Sequence, residues 1–473
     1  MINPLQDAAR RYPHHIGLRS GETMVTYSDL LDEANQIAGA LTDYGLVPGD
    51  IVAMGNLATL DQVLLIWGSI IGRFVIFPMN NRYPVENLEK LLKDVKPALV
   101  ISTTEVPSQR CITFQALKLG ETKSILSIGH TDNDLSATLL MTSGSSGKQK
   151  VVQHSLFNHV ASARGAAENL PVLENDSWVL SLPLYHIGGL AILFRVVLSG
   201  AALVVPEEDV DLLDVIQTHQ ATHISLVATQ LKRLLQKPEG PELLGRLKAV
   251  LLGGSAIPQR LIQMALDLEL PVHVSYGSTE MASQVTTTTR GNRQGVLEHS
   301  GKVLPGRDIL ISAQGEILAK GDTLAKGYLE GSKLVDLRDG DGWFHTGDMG
   351  YLNVSGELTV TGRIDNQFIS GGENIQPEHI ERLLRNESGI HDVMVVPQQN
   401  DEFGARPVAF IEKGADPLDI EHINQGLRGL LPGYMIPIAY YEFPAGLATQ
   451  GLKISRQDLI DLLSRGNKHL QTL

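Results

Sequence analysis

The sequence predicts an α/β protein in two parts, a large unit over residues 1–364 and a small α+β unit over residues 365–473. Three observations carry this. Helical periods alternate with short β-branched or aliphatic runs from Tyr27 to about Leu270, the mark of parallel-rich sheets covered by helices. Short strands and glycine turns take over from Gly301 to Gly362, a small β-rich stretch completing the large unit. Beyond Asp365 a fresh helix and strand pattern begins.

In chain order, the spacing predicts a helix from Ser28 to Leu41, a strand from Asp50 to Met54, a helix from Asn87 to Val95 after Pro84, and a strand from Ala98 to Ser102. Further strand-like runs follow at Thr138–Thr142, Trp178–Leu182, Ala202–Val205, His223–Val227, Ala249–Leu252 and Val272–Val274, and the Thr286–Thr289 tract reads as a strand. Ligands in such sheets sit at the carboxyl ends of strands. The β-rich stretch offers runs at Asp308–Ile311, Glu316–Ala319, Trp343–His345 and Glu357–Thr361, the last after the turn Val354-Ser355-Gly356. In the final unit Pro377 opens a helix with Ile380, Leu383 and Leu384 on one face, followed by strands at His391–Val396 and Pro407–Ile411.

Composition narrows the setting. The chain has 473 residues, 43% hydrophobic and 19% charged, which excludes disorder and fibres. Its 46 glycines and 22 prolines show no repeat and must punctuate loops. A formal net charge of −14 would repel nucleic acid or an anionic membrane, so a polyanionic ligand must be met locally by loop amides and a few cations. The one cysteine, Cys111, excludes an intramolecular disulfide and a cysteine-rich zinc site. The N-terminus lacks the apolar segment of a signal peptide, and the run Val63–Ile71 falls short of the roughly 20 residues a bilayer needs, so a cytoplasmic soluble protein without membrane insertion is expected.

The sharpest local signal is Met141-Thr142-Ser143-Gly144-Ser145-Ser146-Gly147-Lys148-Gln149-Lys150, directly after an apolar run. Hydroxyls, glycines and lysines in that order suit phosphate oxygens, although the Walker spacing is absent and a Ser/Gly turn would read the same way. Later come Leu182-Pro183-Leu184-Tyr185-His186-Ile187-Gly188-Gly189, Gly253-Gly254-Ser255-Ala256, Tyr276-Gly277-Ser278-Thr279-Glu280, Thr346-Gly347-Asp348, Gly362-Arg363-Ile364-Asp365-Asn366, Ser370-Gly371-Gly372-Glu373-Asn374 and Gly451-Leu452-Lys453-Ile454-Ser455-Arg456. Together and in this order they resemble the motifs of the adenylate-forming enzymes, the family of acyl-CoA synthetases, luciferases and peptide-synthetase adenylation domains. Two departures stand out: Gln149 where the family usually has Pro, and Leu452 between Gly451 and Lys453.

The resemblance implies an ATP-dependent acid–thiol ligase that works through an acyl-adenylate, with ATP, Mg²⁺ and coenzyme A. Thr142, Ser143, Gly144, Ser145, Ser146, Gly147 and Lys150 would cradle phosphates. Gly254, Ser255 and Ala256 would flank adenine, beside Tyr276, Gly277, Ser278 and Thr279, while Asp348 and Arg363 would hold the ribose. Glu280 and Thr142 would face the metal, and Lys453 would bridge the carboxylate and the α-phosphate. Asp365 would be the hinge about which the small unit turns between half reactions, and Gly371 and Gly372 would line the path of coenzyme A. His186 would sit by the acyl group.

Arg195 lies in an apolar helix, where an unpaired guanidinium is costly, and an internal cation suits an acid with a second carboxylate; it could equally reach a surface or an internal Asp. Ser225 and Thr279 are the hydroxyls expected in that pocket. The strings FISGGENIQPEHIE and GLKISRQDL are most similar to the branch of the family that ligates o-succinylbenzoate to coenzyme A in menaquinone biosynthesis. No carrier-protein segment follows, so release as a thioester of free coenzyme A is expected, and self-association is left open. Rival readings are an aryl- or fatty-acyl-CoA ligase, a catalytically silent nucleotide-binding regulator, and a covalent hydrolase; the last lacks a Gly-x-Ser-x-Gly elbow and a His-Glu-x-x-His motif. His219 and His223 share a helical i, i+4 spacing without an acidic third ligand.

Overall fold

The structure, a computed structural model, describes residues 2–80, 85–104, 106, 109–119, 134–142, 150–289, 291–414, 416–444, 455–465 and 472–473. Local sequence sets the element boundaries. Thr26 caps the helix Tyr27–Asp43 by accepting from the Asp29 amide, and Ser155 and Asn158 form a reciprocal capping box that turns the strand Lys150–Ser155 into the helix Leu156–Ala167. Pro377 occupies the first turn of the helix Pro377–Leu384, where its missing N–H costs nothing.

Among the described residues two large sheets dominate. The first has nine strands in the order Lys302–Val303, Ser283–Thr287, Val272–Ser278, Ala249–Leu252, His223–Leu226, Ser177–Val179, Ala202–Val204, Ile16–Ser20 and Thr23–Thr26. Its six central strands run parallel, and antiparallel strands close both edges. The second runs Lys333–Val335, Gly327–Glu330, Lys150–Ser155, Ser136–Thr142, Val75–Pro78, Ile51–Met54, Leu99–Ile101 and Cys111–Ile112. Between the sheets lies the main core, where Trp67, Phe194 and Trp178 are fully buried with the helices Tyr27–Asp43, Thr59–Ile71 and Ile187–Ser199. Arg195 apart, the last of these is apolar all round, as a helix sandwiched between layers is.

The β-rich stretch forms a four-stranded antiparallel sheet of Arg307–Ile311, Glu316–Gly321, Phe344–Leu352 and Leu358–Arg363. These are the four runs expected there; the hairpin Gly327–Glu330/Lys333–Val335 within the same stretch instead pairs, through Gly327–Glu330, onto Lys150–Ser155 in the second large sheet. From Ile375 onward the chain builds its own core of Ile380, Leu384, Val393, Val395, Ile411, Ile423 and Leu427 on the strands Ile390–Asn400, Gly404–Lys413 and Tyr440–Glu442. The helical pairing of His219 and His223 is also corrected. His219 ends the helix Leu212–His219, Gln220 turns the chain with a left-handed φ of 48°, and His223 begins a strand. No helix among the described residues is long and apolar enough to cross a membrane.

Candidate active site

The strand Val272–Ser278 runs four residues further than its aliphatic run suggests, carrying Tyr276, Gly277 and Ser278 to its carboxyl end. Gly277 is required there, since a Cβ would come within 1.9 Å of the Ser283 carbonyl on the returning strand. Beside it, Gly254, Ser255 and Ala256 lie exposed just past the parallel strand Ala249–Leu252. Both segments lie at the carboxyl ends of parallel strands, where α/β sheets take ligands.

Thr346-Gly347-Asp348 lies inside the strand Phe344–Leu352 rather than in a turn. Asp348 is clasped from two sides: Tyr276 Oη donates to Oδ2 at 2.7 Å and Arg363 Nη1 to Oδ1 at 2.6 Å. Arg363 Nη2 also donates to Asp365 Oδ2 at 3.2 Å. Burial holds the Asp348 carboxyl above the usual carboxylate range despite the opposing pull of Arg363, and burial together with Asp348 pushes the Tyr276 phenol well up. Gly347, at φ 71°, makes room for the guanidinium; a Cβ would sit 2.7 Å from Arg363 Nη2.

A second cluster surrounds Glu280. Thr142 ends the strand Ser136–Thr142 and pairs in register with Lys150, whose Nζ lies 4.5 Å from the ring centroid of Tyr328. Tyr328 Oη donates to Glu280 Oε1 at 2.8 Å, and burial with this carboxylate raises the phenol, so it stays a donor. Tyr328 escaped sequence reasoning because its only signal was an aromatic in a short strand. Ser278 Oγ accepts from the Met281 amide at 3.2 Å, and the Thr279 carbonyl accepts from His154 Nε2 at 2.7 Å. Two non-glycine residues just past Glu280, Ala282 at φ 51° and Ser283 at φ 102°, hold left-handed backbone, a strain that clusters at functional turns.

Arg195 points back toward the same turn. It is 5% exposed, its Nη2 donates to Gln284 Oε1 at 2.7 Å and Ser283 Oγ at 3.2 Å, and its guanidinium lies 5.2 Å from the Trp178 ring centroid. Its Nε has no partner, and no carboxylate pairs with it or with the equally buried Arg307 among the described residues. Burial and the neighbouring Arg307 push Arg195 down to about 9. An internal Asp, one of the partners the sequence left open, is therefore not what it meets. Ser225 is buried beneath, its Oγ accepting from Trp178 Nε1 at 3.1 Å, so its hydroxyl reaches Arg195 only through the indole. His186 stands exposed at the N-terminal cap of the helix that carries Arg195, its ring 4.6 Å edge-on to Tyr185.

Gly371 and Gly372 make the turn between the strands Phe368–Ser370 and Glu373–Ile375, and the Gly371 amide donates to the Phe403 carbonyl at 2.9 Å. Asp365 lies in a short 3-10 turn, Ile364–Asn366, between the four-stranded sheet and the C-terminal core. Ser143, Gly144, Ser145, Ser146, Gly147 and Lys453 lie outside the described residues.

A family model described as AMP-binding enzyme matches residues 5–329. The chain is 35% identical to the 2-succinylbenzoate–CoA ligase of Haemophilus influenzae, over 98% of each protein. Among solved structures it is similar to o-succinylbenzoate CoA synthetase (MenE) from Bacillus subtilis in complex with the acyl-adenylate intermediate OSB-AMP, with a TM-score of 0.88 and 28% identity over 97% of this chain and 98% of that one. The same Bacillus protein with ATP and magnesium ion matches with a TM-score of 0.84 and 28% identity over 97% and 99%.

Proposed function

We infer the reaction from one premise: the chain belongs to the AMP-binding enzyme family. It is an ATP-dependent acid–thiol ligase for 2-succinylbenzoate. The acid's carboxylate attacks the α-phosphate of ATP, pyrophosphate leaves, and the thiol of coenzyme A displaces AMP from the acyl-adenylate to give the thioester. We place it in menaquinone biosynthesis and in the cytoplasm, where ATP and coenzyme A are at hand.

Two anions must approach for adenylation, so the protein's task is to position them and to oppose the charge that builds on the phosphoryl oxygens. We assign Asp348, clasped by Tyr276 and Arg363, to the ribose hydroxyls, with Gly254, Ser255 and Ala256 beside the adenine. Thr142, residues Ser143, Gly144, Ser145, Ser146 and Gly147, and Lys150 take the phosphates, and Lys453 bridges carboxylate and α-phosphate. Magnesium would suit Glu280 and Thr142, a carboxylate and a hydroxyl: Glu280 accepts from Tyr328, whose ring lies under Lys150, the register partner of Thr142. A site completed by phosphate oxygens needs no cage of three protein ligands, and none exists among the described residues. The ion would neutralise phosphate charge when bound.

Arg195 carries the choice of acid: a buried guanidinium without a carboxylate partner among the described residues supports a substrate that brings its own second carboxylate. Thr279 lies on the turn it holds, Ser225 sets the indole beneath it, and His186 guards the acyl end of the same helix. For thioester formation residues 365–473 turn about Asp365 against residues 1–364, bringing Gly371 and Gly372 to the thiol's path. Pyrophosphate and thioester formation across aromatic, aliphatic and dicarboxylic acids, with and without coenzyme A, tests the reading. Turnover confined to aliphatic acids would remove the 2-succinylbenzoate assignment and leave the class.

A further inference from the structure

Beneath the Glu280 turn lies a buried chain of side chains to which the reaction assigns no role. His154 on the strand Lys150–Ser155, Thr138 opposite it on Ser136–Thr142, and His159 on the following helix are each at most 1% exposed. His154 Nε2 is 2.7 Å from the Thr279 carbonyl oxygen, its Nδ1 is 3.4 Å from Thr138 Oγ1, and Thr138 Oγ1 is 2.8 Å from His159 Nε2. His159 in turn stacks on Phe194, ring centroids 4.7 Å apart, next to Arg195 on its helix.

The proton positions follow from donor and acceptor arithmetic. A carbonyl only accepts, so His154 Nε2 carries the hydrogen and its Nδ1 must accept. The single Thr138 hydroxyl proton goes to that Nδ1, so Oγ1 accepts from His159 Nε2–H. His159 Nδ1 is then an unprotonated nitrogen without a partner, which matches its lack of one and costs less than an orphaned N–H. Burial keeps both rings neutral, pushing His154 down to about 4 and His159 well below its ordinary value. The Thr279 carbonyl also accepts from the Ala282 amide at 3.1 Å, so one oxygen anchors the turn whose next residues hold left-handed backbone.

We propose that His154 is a positioning residue for the nucleotide turn: its neutral Nε2–H holds the Thr279 carbonyl and so sets Glu280, while Thr138 and His159 fix the tautomer that allows it. This rests on the assignment of Glu280 to magnesium.

The test is MgATP binding by calorimetry without acid, alongside KM for ATP and for the acid. His154→Leu should weaken MgATP binding and raise KM for ATP by roughly tenfold or more, with KM for the acid within about twofold. His154→Gln, which keeps a donor near the Nε2 position, should recover most of the loss. A merely structural histidine would lower the unfolding midpoint in both variants and shift both substrates alike. Unchanged MgATP affinity in His154→Leu, or Gln no better than Leu, would overturn the proposal. Should the Leu variant not fold, ¹⁵N chemical shifts of the wild-type histidines decide: a His154 protonated at Nε2 is required, and one protonated at Nδ1 overturns it. Glu280→Gln separates the two readings. If it leaves MgATP binding intact while His154→Leu weakens it, the magnesium assignment falls and the holding of the turn by His154 stands; the reverse pattern overturns the proposal.

Discussion

The pair proposed to hold the ribose and the arginine proposed to select the acid handle buried charge in opposite ways. Asp348 meets Arg363 and Tyr276 within 2.7 Å, so its charge is balanced before any ligand arrives. Among the described residues Arg195 has only the neutral Gln284 and Ser283 and a tryptophan face, with another buried arginine nearby. A prepaired site holds a neutral sugar by hydrogen bonds, whereas an unbalanced one waits for a ligand that brings the missing charge. On the proposed assignments, the difference separates a part of the site that would serve a common cofactor-like substrate from a part that would select one acid.

The largest expected effect comes from the cation assigned to neither side. Lys453→Ala should lower adenylation roughly 100-fold or more while sparing thioester formation from supplied acyl-adenylate, read by pyrophosphate release and by thioester assay. Equal loss in both halves would show that the lysine serves a shared site. Next, Arg195→Met should raise KM for 2-succinylbenzoate on the order of 10- to 100-fold, leave KM for ATP alone, and change stability by under about 1 kcal/mol, because an unbalanced buried charge is being removed. Asp348→Asn should do the converse. It strips Arg363 and Tyr276 of their carboxylate and should cost about 1–2 kcal/mol in urea unfolding, discounted because the guanidinium is a third exposed, with KM for ATP rising and KM for the acid unmoved.

The smallest effect concerns the neutral junction between the two sides. The fold depresses His154 to about 4, so its contribution is full above the ordinary value of 6.5 and is lost as pH falls from there toward about 4, when the unfolded ring gains a proton that the folded one refuses. Urea midpoints measured across that window should fall with pH, and His154→Gln should flatten the slope by up to one proton. An unchanged slope would mean that His154 is solvated.

The motifs within the described residues could be located from the chain because each is a short string whose residues stay adjacent in space. The α/β class was legible for a similar reason, since periodicity is local. Edge pairing was not: nothing in Gly327–Glu330 says that it joins Lys150–Ser155 and not its sequence neighbours, because that choice is made by a contact far along the chain. The strand expected at Val272–Val274 continues through Tyr276-Gly277-Ser278, although glycine weakens a strand, and it is the close approach to Ser283 that demands the glycine. Arg195 could be flagged by its apolar neighbours, but Gln284 and Arg307 could not be paired with it by sequence. His154 and Tyr328 carried little signal, because each meets the turn at Thr279–Glu280 through a hydrogen bond to a segment far along the chain.

The most direct test of the central claim crosses one variant with one substrate change. KM is measured for 2-succinylbenzoate and for its analogue with the succinyl carboxylate replaced by a methyl ester, in the wild type and in Arg195→Met. The expected result is a wild-type preference for the diacid of roughly 10-fold or more that collapses in the variant, since the carboxylate and the guanidinium are each other's partner. A preference that survives intact in Arg195→Met would contradict the claim and place the second carboxylate elsewhere.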